Sequence, residues 1–248
     1  MKLTFSIPAY NERENISKCL ASIFEDAKRA GRTKDIEIIV VDNASTDDTG
    51  KIAGSFPDVI VLREPKKGLV AARHCGYLHA TGDIIACVDS DTILPEGWIA
   101  RVFREFSADE KLIALSGPHK YYDLNGATRL LVDIFYRAGY LLHLFNHYVL
   151  RSGAILQGGN FVVRKKVLDT IGGHAVDPSL DFYGEDTDIA RRISPYGKVK
   201  FTFDFPIYTS GRRLVSEGIL RMGARYAINH VWILAFKKPF SKSSKDIR

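Results

Sequence analysis

Short apolar runs alternate with amphipathic helical segments through the first 91 residues, and this order restricts the fold more than any other feature of the sequence. The runs lie at 3–8, 36–41, 59–62 and 84–88. Each has the predominantly apolar character of a strand that helices cover on both faces. Helical patterns lie between them at about 15–30, 45–54 and 68–80. The order βαβαβαβ predicts an α/β fold with a Rossmann-like, mostly parallel central sheet flanked by helices.

The alternation stops after residue 91. Helices are predicted at about 97–106, 127–150, 165–171, from 185 onward and at 214–236. Strands are predicted near 112–116 and over 199–208. Neither an internal repeat nor a low-complexity linker is present in the sequence, so we expect a single domain with a C-terminal extension.

The chain carries a formal net charge of +6, which predicts attraction to an anionic partner such as nucleic acid, an acidic membrane surface or a phosphorylated substrate. Basic residues are scattered except in the tail, at Lys237, Lys238, Lys242 and Lys245. We therefore expect no nucleic-acid groove, and a solvated basic surface is the simple alternative.

Cysteine usage and hydropathy bear on the location. The three cysteines lack metal-ligand spacing and lie in apolar segments, which favours a reducing, cytoplasmic compartment. The first strand follows Met1 without a leader pattern, and charged residues interrupt every long apolar window. We expect neither a secretory signal nor a membrane-spanning helix.

Polar and acidic residues follow three of the predicted strands. They are Asp89, Ser90 and Asp91 after the fourth strand, Asp42 at the end of the second, and the segment 8–12 at the end of the first. Because ligands bind beyond the carboxyl ends of parallel strands, we expect these residues in one cleft. Two carboxylates and substrate phosphates commonly complete an octahedral Mg²⁺ or Mn²⁺ site. Turn and capping roles are the structural alternatives.

Two further segments carry candidate chemistry. Glu185, Asp186 and Asp188 open a predicted helix, where the helix dipole favours acidic residues, so capping alone would explain them. The functional alternative is a general base that accepts a proton from an attacking hydroxyl. Arg212 and Arg213 follow the last predicted strand. A guanidinium there could bind a diphosphate through charge-assisted hydrogen bonds, or could simply be exposed.

Five motifs occur in order along the chain. They are 6–12 (SIPAYNE), 40–47 (VVDNASTD), 67–68 with 72–73, 81–83 with 89–91, and 184–186. Together they resemble the family 2 glycosyltransferases with the GT-A fold, over about residues 2–213. The resemblance implies a GT-A domain at 1–213, with a nucleotide-binding half at 1–91 and an acceptor-binding half at 92–213. An amphipathic helix and a basic tail would follow at 214–248.

The resemblance also implies roles for individual residues. The nucleoside pocket would be lined by Pro8, Tyr10, Glu12 and Asp42. Asp89 and Asp91 would face the ribose, the diphosphate and the metal ion, with Asp91 as the direct metal ligand. Further contacts with the nucleotide sugar would come from Lys67, Arg73, Ser90, Arg212 and Arg213. Asp186 matches the family's catalytic base, Glu185 and Asp188 would support it, and Asn160 would lie on the acceptor side.

The implied activity is an inverting transfer of a sugar from a nucleotide diphosphate sugar to an acceptor, with Mn²⁺ or Mg²⁺ as the cofactor. The acceptor is left open, with a lipid-linked or cell-envelope glycan as a candidate. His74 stands where an Asn commonly follows Arg73, and no His occurs at 208–211, where some relatives add a metal ligand. The Gln-x-x-Arg-Trp signature of processive synthases does not occur in the sequence, which favours transfer of a single sugar.

Two alternative functions remain beside this one. A nucleotidyltransferase acting on sugar phosphates would use similar carboxylates, but usually has a Gly-rich basic loop where this chain has the acidic segment 8–12. A catalytically inactive nucleotide-binding scaffold would not need the intact set Asp89, Asp91 and Asp186.

Two stretches, 130–150 and 214–236, are amphipathic. They would pack on the core or in a homodimer interface, or else rest on an anionic membrane surface with Trp232 and the basic tail at the headgroups. In the second case the protein would be peripheral on the cytoplasmic face of the membrane, and a lipid-linked acceptor would fit.

Overall fold

A seven-stranded sheet forms the centre of the computed structural model, which describes residues 1–149, 155–174, 184–218 and 221–225 together with Ile228 and Trp232. The strands are β1 Leu3–Ala9, β2 Ile36–Asp42, β3 Val59–Arg63, β4 Ile84–Val88, β5 Leu112–Ser116, β6 His119–Tyr121, β7 Asn160–Arg164, β8 Lys198–Phe201 and β9 Ile207–Thr209. The large sheet has the order β3-β2-β1-β4-β7-β5-β8, and β6 pairs with β9 in a small second sheet. Among the described strands, β7 alone runs antiparallel to its neighbours.

Helices cover both faces of the large sheet. They are α1 Ile16–Arg29, α2 Thr49–Gly54, α3 Leu69–His79, α4 Trp98–Ala108, α5 Gly126–Val149, α6 Lys165–Ile171, α7 Glu185–Ile193 and α8 Arg212–Glu217. In β2, Ile38 and Val40 pack in the core layer of α1, α2 and α4, whereas Ile39 and Val41 pack in the layer of α3, α6 and α7. Because successive side chains of the central strands alternate between two buried faces, these strands are predominantly apolar. The predicted fold class is confirmed.

Two predicted elements are wrong in their extent. The single strand predicted at 199–208 is split into β8 and β9, because the chain turns between them: the Thr202 N–H donates to the Ser116 carbonyl (3.0 Å) and the Phe205 N–H to the Thr202 carbonyl (3.2 Å). The helix predicted at 214–236 is interrupted, because Gly218 has a φ of +83° and ends α8. Residues 221–225 are helical again. Most of the remaining predicted helix and the whole basic tail lie outside the described residues.

The long helix α5 packs on the rest of the chain along one side. Val132 is buried with Leu124, Leu214 and Met222 in a small separate cluster. On the other side of α5, Leu130 and Leu141 are about two thirds exposed, at 62% and 66%. Within the part of the chain that the structure describes, no helix combines the length and the hydropathy needed to cross a bilayer.

Candidate active site

The loops that follow β1 and β2 lie side by side and are joined by hydrogen bonds. The strand register pairs Ala9 with Asp42, so both loops leave the sheet at the same level. The Asn11 N–H donates to Ser45 Oγ (3.1 Å), and Asn11 Oδ1 accepts from the Thr46 N–H (2.9 Å). The strand ends therefore form a single polar rim, as the strand order predicts.

Asn43 connects this polar rim to the start of α3 through hydrogen bonds. Its side-chain amide donates to the Lys66 carbonyl (2.7 Å), and its Oδ1 accepts from the Gly68 N–H (2.8 Å). Lys67, between these two residues, places Nζ 3.9 Å from the centroid of the Tyr10 ring, a cation–π contact. Two residues predicted to bind the nucleotide sugar, Tyr10 and Lys67, are thus in contact at the rim.

Two other residues predicted on the donor side lie deeper, and a third, Asp42, is half-buried. Pro8 is buried within β1, and Ser90 is buried after β4. The Asp42 carboxylate accepts from the Ser45 N–H (3.2 Å) and packs against α2, where a Cβ on Gly50 would lie 2.7 Å from Asp42 Oδ2. A larger residue at position 50 would therefore push against the Asp42 carboxylate.

Arg212 joins two of the predicted site carboxylates. Its Nη2 donates to a carboxylate oxygen of Glu12 and to Asp91 Oδ2 (3.2 Å). The Thr209 hydroxyl donates to Asp91 Oδ1 (3.0 Å). We call Glu12, Asp91, Thr209 and Arg212 the Arg212 cluster. Its members come from the ends of β1, β4 and β9, and the Arg212 and Glu12 positions are 200 residues apart in the sequence.

The surroundings of the Arg212 cluster are partly open. Glu12 is buried and also accepts from the Asn15 amide (2.8 Å), whereas the Arg212 side chain is 29% exposed. Both line a cavity of about 230 Å³, together with Asn11, Arg13, Glu14, Asn15 and Asp47. Burial lowers the pKa of Arg212, but the hydrogen bond and charge of Glu12 and the charge of Asp91 outweigh burial and raise it. The guanidinium therefore remains charged.

A second set of charges includes Asp89, the other aspartate that follows β4. Buried Arg73, on α3, donates through Nη1 to Glu185 and through Nη2 to Asp89 Oδ1 (3.1 Å). The Nδ1 of buried His174 lies 2.5 Å from the other Glu185 oxygen. We call Arg73, Asp89, His174 and Glu185 the Arg73 cluster. It links the residue after β4 to the first residue of α7.

Glu185 is held as a carboxylate by this cluster. Burial alone would raise its pKa, but the charge of Arg73 and the hydrogen bond from His174 outweigh burial and lower the pKa to about 2. A carboxylate so firmly ionised and so fully hydrogen-bonded is a poor proton acceptor. Glu185 therefore fits the supporting role that the sequence predicts for it.

Asp186 lies in a different environment, although it is the next residue. It is half-buried, and its carboxylate accepts from the Gly158 N–H (3.0 Å) and the Thr187 N–H (2.7 Å). Burial and the negative charge of Glu185 raise the pKa of Asp186 above that of an ordinary aspartate. A raised pKa makes its carboxylate a stronger base, which is what a general base requires.

The loop before β7 contacts both Asp186 and Asp89. Gly158 donates its N–H to Asp186, and Gly159 follows with a φ of +80°. A Cβ on Gly159 would lie 2.3 Å from Asp89 Oδ2. The backbone of this loop therefore passes between Asp186 and Asp89 and touches both, so the glycine pair brings the predicted base close to a predicted donor-site carboxylate.

Three predicted site residues are engaged in the scaffold. Asn160 is fully buried, and its amide donates to the Gly117 and Phe205 carbonyls (both 2.9 Å). Asp188 pairs with Arg191 (2.7 Å) and Arg192 (3.5 Å) on its own helix, and Arg213 pairs with Glu217 (3.3 Å). This geometry gives no support to acceptor contact by Asn160.

Three side chains near the site escaped the sequence analysis. His174 and Thr209 hold Glu185 and Asp91, and each acts through a tertiary contact without a local signal. His119, at the start of β6, hydrogen-bonds to the Gly158 backbone, and burial lowers its pKa to about 4. It is therefore neutral at physiological pH, although it lies close enough to Asp89 to be affected by that charge.

The carboxylates suit a hard divalent cation. Asp89 and Asp91 offer carboxylate oxygens, and each is paired with an arginine, Arg73 and Arg212 respectively. Among the described residues, no group of three or more His, Cys, Asp or Glu side chains is arranged to hold a metal ion. Two carboxylates fit a cation whose coordination is completed by substrate phosphates and water.

Comparison with known proteins agrees with this geometry. The sequence profile of the family described as Glycosyl transferase family 2 matches residues 4–172. The chain belongs to glycosyl transferase family 2. Probable glycosyltransferase YdaM of Bacillus subtilis (strain 168) is 26% identical to this family 2 chain over 211 residues, which are 79% of the chain and 47% of YdaM. The chain spans only 20% to 47% of the length of the first curated relatives it matches.

Solved structures confirm the fold. Mannosyltransferase PcManGT from Pyrobaculum calidifontis, in complex with GDP-Man and Mn²⁺, superposes with a TM-score of 0.69 at 22% identity, over 97% of this chain and 65% of that one. S. aureus TarS 1-349 in complex with UDP-GlcNAc gives a TM-score of 0.64 at 15% identity, over 95% of this chain and 73% of that one. The predicted GT-A fold and the predicted family are therefore confirmed.

Proposed function

We propose that the chain transfers a single sugar, with inversion, from a nucleotide diphosphate sugar to an acceptor hydroxyl or phosphate. The contact of one loop with two carboxylates carries the proposal: Gly158 binds Asp186, and Gly159 packs on Asp89. A base and a donor-binding carboxylate this close together suit a reaction in which a proton acceptor and a leaving group flank one carbon. PcManGT and TarS, solved with GDP-Man and UDP-GlcNAc, support a sugar nucleotide as the donor.

In the proposed reaction the acceptor oxygen forms a bond to the anomeric carbon while the bond from that carbon to the diphosphate oxygen breaks. The bonding electron pair leaves with the diphosphate, and Asp186 takes the acceptor proton. Because attack comes from the face opposite the leaving group, the configuration at the carbon inverts. Arg212 would neutralise charge developing on the diphosphate, whereas Arg213 is held by Glu217 (3.3 Å). A Mn²⁺ or Mg²⁺ ion held by Asp91 and Asp89 would supply Lewis-acid stabilisation of that leaving group.

Donor binding is tested by thermal unfolding with UDP, GDP or dTDP, each with and without Mn²⁺. A ligand that binds only the folded state raises its stability by about 2.7 kcal/mol at a concentration one hundred times its Kd. We expect one nucleotide to raise the melting temperature in the presence of Mn²⁺, and Asp91→Asn to abolish the metal dependence without loss of the fold. If no nucleotide raises the melting temperature, with or without metal, the proposed function is wrong.

For the acceptor, we propose a lipid-linked or cell-envelope glycan and peripheral attachment to the cytoplasmic face of the membrane. The exposed Leu130, Ile134 and Leu141 on α5, close in sequence to Arg137, support this, as do the basic residues of the tail. Each basic residue near an anionic surface adds roughly 1 kcal/mol of attraction. Salt-sensitive sedimentation with anionic but not neutral liposomes is expected, and it should weaken for a chain ending at Ala235. A protein that stays in the supernatant at low salt but runs as a homodimer contradicts the membrane proposal and favours an interface on these helices.

A further inference from the structure

Arg212 occupies a carboxylate oxygen that the proposed metal site would use. Its Nη2 lies 3.2 Å from Asp91 Oδ2, and the Thr209 hydroxyl takes the other Asp91 oxygen. A divalent cation bound at Asp91 would come close to this guanidinium, and two cations a few ångströms apart repel each other strongly at a partly buried site. Arg212 and a metal ion therefore compete for Asp91.

We propose that Arg212 is a displaceable internal counter-ion of Asp91, which excludes the divalent cation until the donor diphosphate draws the guanidinium away. The role of the diphosphate rests on the proposed function, whereas the competition between Arg212 and the metal ion does not. The cation then enters together with the donor, and donor-free protein binds metal weakly. This order protects the site from taking up metal ions that cannot take part in transfer.

The surroundings of Arg212 allow the side chain to move while the backbone stays in place. Asp123 accepts from the Ser210 hydroxyl and the Gly211 N–H, both at 2.6 Å, and so anchors the chain just before Arg212. A Cβ on Gly211 would lie 2.5 Å from the Leu124 side chain, so this segment is tightly packed. The guanidinium itself is partly exposed at the cavity described above.

Both carboxylate partners of Arg212 have another hydrogen bond that does not involve the guanidinium. Glu12 retains its hydrogen bond from the Asn15 amide, and Asp91 retains its bond from Thr209. Both carboxylates therefore keep their orientation when the guanidinium leaves. Because two ligands that each favour the displaced state strengthen one another, the nucleoside diphosphate and the metal ion bind with positive coupling through Arg212.

Calorimetric titration of the full chain with Mn²⁺, without nucleotide, tests the competition. We expect Arg212→Gln to bind Mn²⁺ about tenfold or more tightly than the parent, a change within the usual range for coupled sites. Arg212→Lys keeps the charge and should bind as weakly as the parent. Arg213→Gln is the matched control, because it removes the same charge one residue away, where the partner is Glu217. Arg212→Met serves as a second neutral variant if Arg212→Gln does not fold by circular dichroism.

A second titration adds the nucleoside diphosphate that stabilises the parent. The nucleotide should tighten Mn²⁺ binding in the parent by a larger factor than in Arg212→Gln, since the variant has no guanidinium to displace. Mn²⁺ affinity in the neutral Arg212 variants no higher than in Arg213→Gln overturns the inference. Tighter Mn²⁺ binding in Arg212→Gln combined with no nucleotide binding by any of the proteins leaves the counter-ion role standing and overturns the proposed function instead.

Discussion

The Arg73 and Arg212 clusters pair the same types of charge in different surroundings. The Arg73 side chain is 2% exposed, and its partner Glu185 is equally buried, whereas Arg212 is 29% exposed at the wall of a cavity. A charge removed from solvent depends entirely on its protein partners, while a partly exposed one can exchange a partner for water or a ligand. We therefore expect the Arg73 cluster to hold its shape and the Arg212 cluster to respond to the donor.

Replacing Arg73 or Arg212 with Gln should give the largest difference in stability between the two clusters. Arg73→Gln leaves Glu185 buried without its counter-ion, and removing one partner of a buried pair destabilises by about 3–5 kcal/mol. Arg212→Gln should lower the free energy of unfolding by less. Mn²⁺ should restore the free energy of unfolding of this variant, because the cation can replace the guanidinium. Urea unfolding of both variants, with and without Mn²⁺, measures this. Equal losses that Mn²⁺ restores in both variants, or in neither, would remove the distinction between the clusters.

The pH dependence of the free energy of unfolding tests the Arg73 cluster separately from the Arg212 cluster. The pKa of Glu185 is about 2 in the folded protein against an ordinary value of 4.5, so the unfolded chain binds the proton more readily. Its contribution to stability is therefore fully present above about pH 4.5 and is lost as the pH falls towards 2. Urea unfolding between these pH values should show a steeper loss for the parent than for Glu185→Gln. Glu37, whose pKa is also about 2, titrates in both proteins and cancels in the difference. Parallel pH profiles would mean that Arg73 does not hold Glu185 as described.

A smaller effect on stability is expected at the loop between the two carboxylates. Gly159→Ala places a Cβ against Asp89, whereas Gly172→Ala, at a similar φ of +76°, meets nothing within 4 Å. Backbone strain of about 1 kcal/mol or more applies to both variants, so the difference between them isolates the contact with Asp89. We expect Gly159→Ala to melt at a lower temperature and to lose donor affinity, and Gly172→Ala to keep that affinity. Matching donor affinities would show that Asp89 can move without consequence.

The first half of the fold was predictable because its information is local. Strand periodicity, helix faces and strand order placed the polar ends of β1, β2 and β4 on one rim, and the register of Ala9 with Asp42 agrees. The second half carries weaker local signals. The turn at Thr202 depends on a hydrogen bond to Ser116, 86 positions earlier, whereas Gly218 was a signal in the sequence that the helical pattern around it concealed.

Within the site, the sequence identified most of the charged residues but not how they pair. Arg73, Asp89 and Glu185 were all expected, yet which of them meet depends on how α3 and α7 pack on the same face of the sheet. The pairing of Arg212 with Asp91 joins positions 121 residues apart and has no counterpart in local pattern. The burial of Asn160 was also not predictable, because its carbonyl partners belong to other segments of the chain.

If this family 2 chain transfers sugar with Asp186 as the base, loss of that carboxylate should slow transfer, and the transfer rate of Asp186→Asn measures this. Asp188→Asn is the matched control, because the same substitution two residues along removes a carboxylate that pairs with Arg191 and Arg192. We expect Asp186→Asn to bind the donor nearly as tightly as the parent and to transfer sugar at least about a hundredfold more slowly, and Asp188→Asn to melt at a lower temperature but retain transfer when folded. Transfer by Asp186→Asn at close to the parental rate would show that Asp186 is not the base and is only a helix cap.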